Sequence, residues 1–263
     1  MTAAATTHPL RDSTTMVRRN LKRMVRYPSM TVQLIAMPIL LLLLFVYVFG
    51  GTLGAGLGGP SGGRAEYINY MVPAILLITI ATTVQGTAVS VAMDMTDGII
   101  ARFRTMNIAR VSVLTGHVIG SLIQAFLSMA VVIGVALLIG FEPSASLGGW
   151  LALVGVLAAV AFALVWLTVA IGQTSQSVEA ASSLPMPLMF LPFLGSGFVP
   201  TDSIPGGLRW FAEYQPFTPI MESIRALLMD NPVGDDLWIA LTWCAGIALL
   251  GYVWAKRLYN RKA

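Results

Sequence analysis

Six stretches of the chain contain no Asp, Glu, Lys or Arg: Thr31–Phe49, Tyr67–Met93, Val111–Ile139, Trp150–Ile171, Ala180–Val199 and Leu237–Ala255. A helix crossing the hydrocarbon core of a bilayer needs about 20 apolar residues, and each stretch is long enough. In that solvent every backbone N–H and C=O must be satisfied within the chain, so these stretches are expected to be helices. The expected fold class is all-α, a polytopic membrane protein with six transmembrane helices in one domain, 1–263. Only 11% of the residues are charged, whereas a soluble domain carries about 25%. The first stretch does not read as a cleaved signal peptide, because GGTLGAG after it offers no A-x-A site.

Orientation follows from the basic residues. Arg11, Arg18, Arg19, Lys22, Arg23 and Arg26 precede the first stretch. Arg102, Arg104 and Arg110 follow the second, and Lys256, Arg257, Arg261 and Lys262 follow the last. Together these are thirteen of the 16 basic residues, and six crossings put all of them on one side. Both termini are therefore expected in the cytoplasm. The net charge of +4 reflects this inner-face enrichment and gives no reason to expect nucleic acid.

Residues 1–12 read as a mobile tail. Residues 13–27, STTMVRRNLKRMVRY, alternate at helical period, with Val17, Leu21, Met24 and Val25 on one face and the cations on the other. This pattern predicts an amphipathic helix on the inner membrane surface, drawn there by anionic headgroups. Gly50–Arg64 reads as a flexible outer loop. The segment Asp94–Arg110 is more structured: Asp94 and Asp97 suit a helix start. Ile99, Ile100, Phe103 and Met106 then recur on one face beside Arg102 and Arg104. Such a helix either lies on the membrane or inserts as a knob into a soluble partner.

The segment 200–229 cannot be one spanning helix, because Pro200, Pro205, Pro216 and Pro219 interrupt it. Ile204, Leu208 and Phe211 stripe one short piece; Phe217, Ile220, Met221, Ile224 and Leu228 stripe another. Trp210 and Tyr214 suit the membrane interface. The expectation is a re-entrant hairpin in the outer leaflet, with Arg209, Glu213, Glu222 and Arg225 paired or facing water. The bland alternative is an outer loop lying flat.

Several chemistries lack their residues. No Gly-Lys pair occurs, so the chain has no P-loop of its own. Two histidines, His8 and His117, and one cysteine, Cys244, are scattered, so no metal site is expected. No mid-membrane ionisable residue is available to carry a coupling ion. Thr79, Thr83, Gln85 and Gln124 either line a pathway or hydrogen-bond neighbouring helices. Gly116 and Gly120 allow close helix packing. The chain reads as a transport pathway without an energy source.

Three regions resemble one family, the type-2 permease subunits of ABC transporters, near the daunorubicin-resistance and multidrug-export branch. They are the basic helix before the first span, DGIIARFRTMNIARVSVLTGHVIGSL, and SGFVPTDSIPGGLRWFAEYQPFTPIMESIRALL. The last is similar to the family's Ser-Gly-…-Pro, Pro-…-Leu-…-Trp, Asn-Pro-…-Thr and Arg-Ala-Leu series, with Gln215 where Asn is usual. The resemblance implies a dimer of permease subunits, identical or not, on separate cytoplasmic ATP-binding subunits in a bacterial plasma membrane. ATP and Mg would bind the partner, and this chain would bind no cofactor. It further implies that Asp94, Asp97, Gly98, Ile99, Arg102, Phe103 and Met106 form the ATPase-coupling helix, with Phe103 filling an apolar slot. Pro205, Arg209, Trp210, Glu213, Pro216, Phe217, Glu222 and Arg225 would belong to an extracellular gate. The expected substrate is a drug-like amphiphile. Export of a lipid or glycan is the alternative, and a membrane scaffold or an intramembrane enzyme stands further off.

Overall fold

The computed structural model describes residues 9–26, 28–58, 63–97 and 110–261. Among these, all regular structure is helical. Helix α1 (Pro9–Arg26) leads into a continuous rod made of α2 (Pro28–Leu44), a π-helical turn (Phe45–Phe49) and α3 (Gly50–Gly58). Three long helices follow: α4 (Arg64–Thr96), α5 (Arg110–Leu138) and α6 (Leu147–Thr174). Shorter pieces come next: α7 (Val178–Ser183), α8 (Met186–Phe190), a 3-10 turn (Leu191–Leu194) and a second one (Thr201–Ser203). The chain continues through α9 (Gly206–Tyr214) and α10 (Phe217–Leu228) to α11 (Asp236–Arg261).

Among the described residues, five helices are long and apolar enough to cross a membrane: Thr31–Gly56, Arg64–Thr96, Leu114–Leu138, Leu147–Thr174 and Asp236–Leu258. The fifth expected run, 180–199, differs. It folds as α7, α8 and a 3-10 turn, and its apolar part, Val178–Leu194, is a shorter helix. Pro185, Pro187 and Pro192 each remove a backbone donor and break the ladder there. The expected flexible loop at 50–64 is also corrected, because α3 stays helical through Gly58. Continuing the helix satisfies backbone groups that hydrocarbon would leave unpaired, which outweighs the weak helix propensity of glycine. At the other end, α1 already begins at Pro9, inside the expected tail.

Helix α4 is the axis of the bundle. Of its most apolar stretch 78% is buried, against 17% for Thr31–Gly56 and 17% for Asp236–Leu258. Helices α2, α5, α6, α7 and α10 pack on α4, and α11 packs along α6. In hydrocarbon no hydrophobic effect drives such association, so close packing and hydrogen bonding hold the helices. The threonines of α4 turn inward on their own ladder. Thr79 Oγ1 donates to the Ile75 carbonyl at 2.7 Å and Thr83 Oγ1 to the Thr79 carbonyl at 2.8 Å.

Helix α1 packs along α5, and the two glycines of GHVIG are the reason it fits. A Cβ on Gly116 would lie 2.4 Å from Met16 Cβ, and one on Gly120 would lie 3.0 Å from Asn20 Cβ. Met16 and Asn20, one turn apart on α1, thus sit over Gly116 and Gly120, one turn apart on α5. Asn20 Nδ2 also donates to the Gly116 carbonyl at 2.8 Å. Gly116→Leu should lift α1 off α5. Trypsin should then cut at Arg18, Arg19 or Lys22 several-fold faster in inside-out vesicles. Unchanged cleavage with an unchanged melting temperature would rule out this packing.

Candidate coupling and gate sites

The first site is built where α4 ends and α5 begins. Asp94 and Asp97, expected to start the 94–110 segment, lie at the end of α4. Both close α4, with Asp97 as its C-cap residue, donating its N–H to the Met93 carbonyl at 2.9 Å. The Asp94 side chain is 4% exposed. One of its oxygens, Oδ2, accepts from Arg19 Nη2 on α1 and lies 3.0 Å from His117 Nε2 on α5. A buried carboxylate stays charged only when cations and donors surround it, and Arg19 and His117 supply both. One carboxylate oxygen therefore ties three helices.

Those helices flank residues 98–109. Gly98, Ile99, Arg102, Phe103 and Met106, five of the residues expected to contact an ATPase, lie outside the described residues. Asp94 stands before that segment in α4, and His117 stands after it in α5. Asp97 is exposed.

Beside this junction lies a cavity of about 60 Å³ between α1, α2, α4 and α5, lined in part by Asn20, Thr87, His117, Ser121 and Gln124. Of the four residues considered for a pathway, only Gln124 lines it. Thr79 and Thr83 are wholly buried and bond their own helix. Gln85 Nε2 instead donates to the Ser182 carbonyl at 2.5 Å, fastening α7 to α4.

The second site is the α9–α10 pair. Pro205 and Pro216 stand at the N-caps of α9 and α10. The expected apolar face of α10 is inside: Phe217, Ile220, Met221, Ile224 and Leu228 are all buried. That of α9 is not, since Leu208 and Phe211 are exposed, as are Trp210 and Tyr214. The charges are paired. Arg209 binds Asp202 at 2.5 Å and Glu213 at 2.7 Å, and Arg225 Nη1 binds Glu222 at 2.5 Å.

Arg225 does more than pair. Its Nη2 donates to the Tyr70 carbonyl at 3.1 Å and the Ser196 carbonyl at 2.8 Å. Its guanidinium lies 3.9 Å from the centre of the Tyr70 ring. One side chain therefore holds α10, the first turns of α4 and the 195–197 turn together. That turn needs glycine for a matching reason. A Cβ on Gly197 would lie 2.6 Å from the Pro192 carbonyl oxygen and 2.8 Å from Ala74 Cβ. Ser196 was invisible to a sequence reading, because it contributes only a backbone carbonyl, and no local pattern links the carbonyl and ring of Tyr70 to Arg225.

Residues 12–229 match the family described as ABC-2 type transporter. Over 240 residues the chain is 25% identical to the daunorubicin resistance ABC transporter permease protein DrrB1 of Streptomyces coeruleorubidus, covering 90% of this chain and 81% of that protein. It is 26% identical over 186 residues to the probable doxorubicin resistance ABC transporter permease protein DrrC of Mycobacterium tuberculosis, covering 68% of this chain and 65% of that one. The family match starts in α1 and ends just after α10, so it takes in both sites.

Proposed function

The chain belongs to the ABC-2 type transporter family, and on that premise we propose that it is the membrane subunit of an ATP-driven exporter of hydrophobic or amphiphilic compounds. The family membership carries the reading, since the relatives named for drug resistance are permease proteins of the same kind. A separate cytoplasmic subunit supplies the ATP site with its Mg, and a second permease subunit completes the pathway. The chain crosses the membrane six times, the short kinked Val178–Leu194 run being the fifth crossing. Both basic termini then face the cytoplasm. Helix α1 lies at the inner surface, and α9–α10 form a re-entrant gate in the outer leaflet.

The ATPase subunit contacts residues 98–109, with Asp97, Gly98, Ile99, Arg102, Phe103 and Met106 as the coupling helix. Because Asp94 and His117 bracket this segment, its displacement moves α1, α4 and α5 as a unit. Helix α4 also reaches the outer site at Tyr70, so an inner push is carried along one rigid helix to the gate. An element of this kind, biased at both ends, is what coupling requires.

The test is energetic. Inside-out vesicles containing the chain and its ATPase subunit should accumulate an amphiphilic dye only with ATP, and accumulation should survive a protonophore. Loss of accumulation on adding protonophore, with ATP still high, would overturn the proposal.

A further inference from the structure

The cavity beside the inner junction has a chemistry of its own. Among the described residues that line it, none is Asp, Glu, Lys or Arg. Its walls offer hydroxyl and amide groups: Thr87, Ser121, Gln124 and Asn20, with His117 turned to Asp94. Thr87 and Ser121 hydroxyls are 2.6 Å apart, so one donates to the other, which leaves acceptor capacity on both oxygens. About 60 Å³ has room for roughly four water-sized groups.

The cavity also has an apolar margin. Leu34 lines it on α2, and Met37 and Leu40, farther along that helix, are exposed. Gln124 lines it on α5, and Ile123 and Leu127 beside it are exposed. A polar recess thus lies between two helices that present apolar side chains to the lipid. That arrangement suits a molecule with its head in the recess and its tail along α2 and α5.

We propose that this recess, formed by Asn20, Thr87, Ser121 and Gln124 between α1, α2, α4 and α5, binds the compact, uncharged, hydroxyl-bearing head of an inner-leaflet amphiphile. A charged head is disfavoured because the lining holds no counter-charge, and moving an ion there forfeits its hydration. The occupant is either a resident lipid or the exported compound; both present the same head chemistry. The proposal deepens the exporter reading by naming a substrate class and an access point, but binding itself does not depend on ATP.

The test uses the full-length chain in lipid nanodiscs and a monoacylglycerol carrying a diazirine in its acyl chain. Labelled peptides should map to α2 and α5, near Met37 and Ile123. Probes with the same chain and a trimethylammonium or sulfate head should label about tenfold less, the discrimination expected from burying an uncompensated charge. Gln124→Leu keeps the volume, removes the amide and should lower labelling by about fivefold to tenfold, the effect of one buried hydrogen bond. Ser121→Val is the second variant, should Gln124→Leu fail to give a monodisperse protein. Thr242→Leu, on the far helix α11, should change nothing. Adding the ATPase subunit and ATP separates the sources: labelling that falls on turnover marks an exported compound, and labelling that persists marks a bound lipid. Equal labelling by all three heads, or full labelling of a folded Gln124→Leu chain, would overturn the proposal. Because labelling is read first without ATP, its failure would leave the exporter reading standing, and failure of ATP-driven accumulation would leave the binding result standing.

Discussion

Arg225→Ala is expected to abolish export and to lower the melting temperature of the solubilised protein sharply, while the chain still inserts. The substitution removes charged hydrogen bonds to the Tyr70 and Ser196 carbonyls, the stacking on Tyr70 and the partner of Glu222. Arg225 is only 15% exposed, so little of this is screened by solvent. Charged hydrogen bonds contribute about 1.5–3 kcal/mol and a desolvated cation–π contact about 2 kcal/mol; allowing for non-additivity, a total near 3–5 kcal/mol is expected. Arg225→Lys should recover less than half, because one ammonium cannot span both carbonyls and the ring. A melting temperature and transport rate equal to those of the unaltered protein would remove Arg225 from any role in holding the gate.

Asp94→Ala should have an effect of similar size at the inner end. It strands the guanidinium of Arg19 and leaves His117 without its acceptor. Breaking a buried ion pair costs about 3–5 kcal/mol, and Arg19, 32% exposed, recovers part of this by turning to water. ATP hydrolysis by the assembled complex should continue while transport per ATP falls at least tenfold, because α1, α4 and α5 no longer move together. The double replacement Arg19→Leu with Asp94→Leu separates packing from coupling. An apolar pair should restore much of the stability but not the transported amount per ATP. Full transport by the double variant would show the junction to be packing alone.

The five long helices were legible because apolar length without charge has one outcome in a bilayer. The run at 180–199 is equally free of charge, but Pro185, Pro187 and Pro192 decide its shape, and a search for uncharged stretches passes over them. The buried face of α10 was readable from its spacing, since Phe217, Ile220, Met221, Ile224 and Leu228 all turn inward. The spacing of α9 is equally regular, yet Leu208 and Phe211 remain exposed. Amphipathic spacing defines a face and leaves open what covers it. Asp94 stands one residue beyond the apolar run ending at Met93, which made it look like the start of a loop. Its partner Arg19 is far away in sequence, and no local pattern links them. The Gly116 and Gly120 pair was visible, but its partner was found on α1 rather than on another spanning helix.

The short run Val178–Leu194 has a consequence for the lipid around it. Even as one unbroken helix it would rise only about 26 Å, against a hydrocarbon thickness of about 30 Å. Leu184, Met186, Phe190 and Leu194 are exposed along it. Hydrophobic mismatch of that sign is relieved by thinning the bilayer beside the short element. In the six-crossing arrangement proposed above, the membrane is then thinnest on the α7–α8 side.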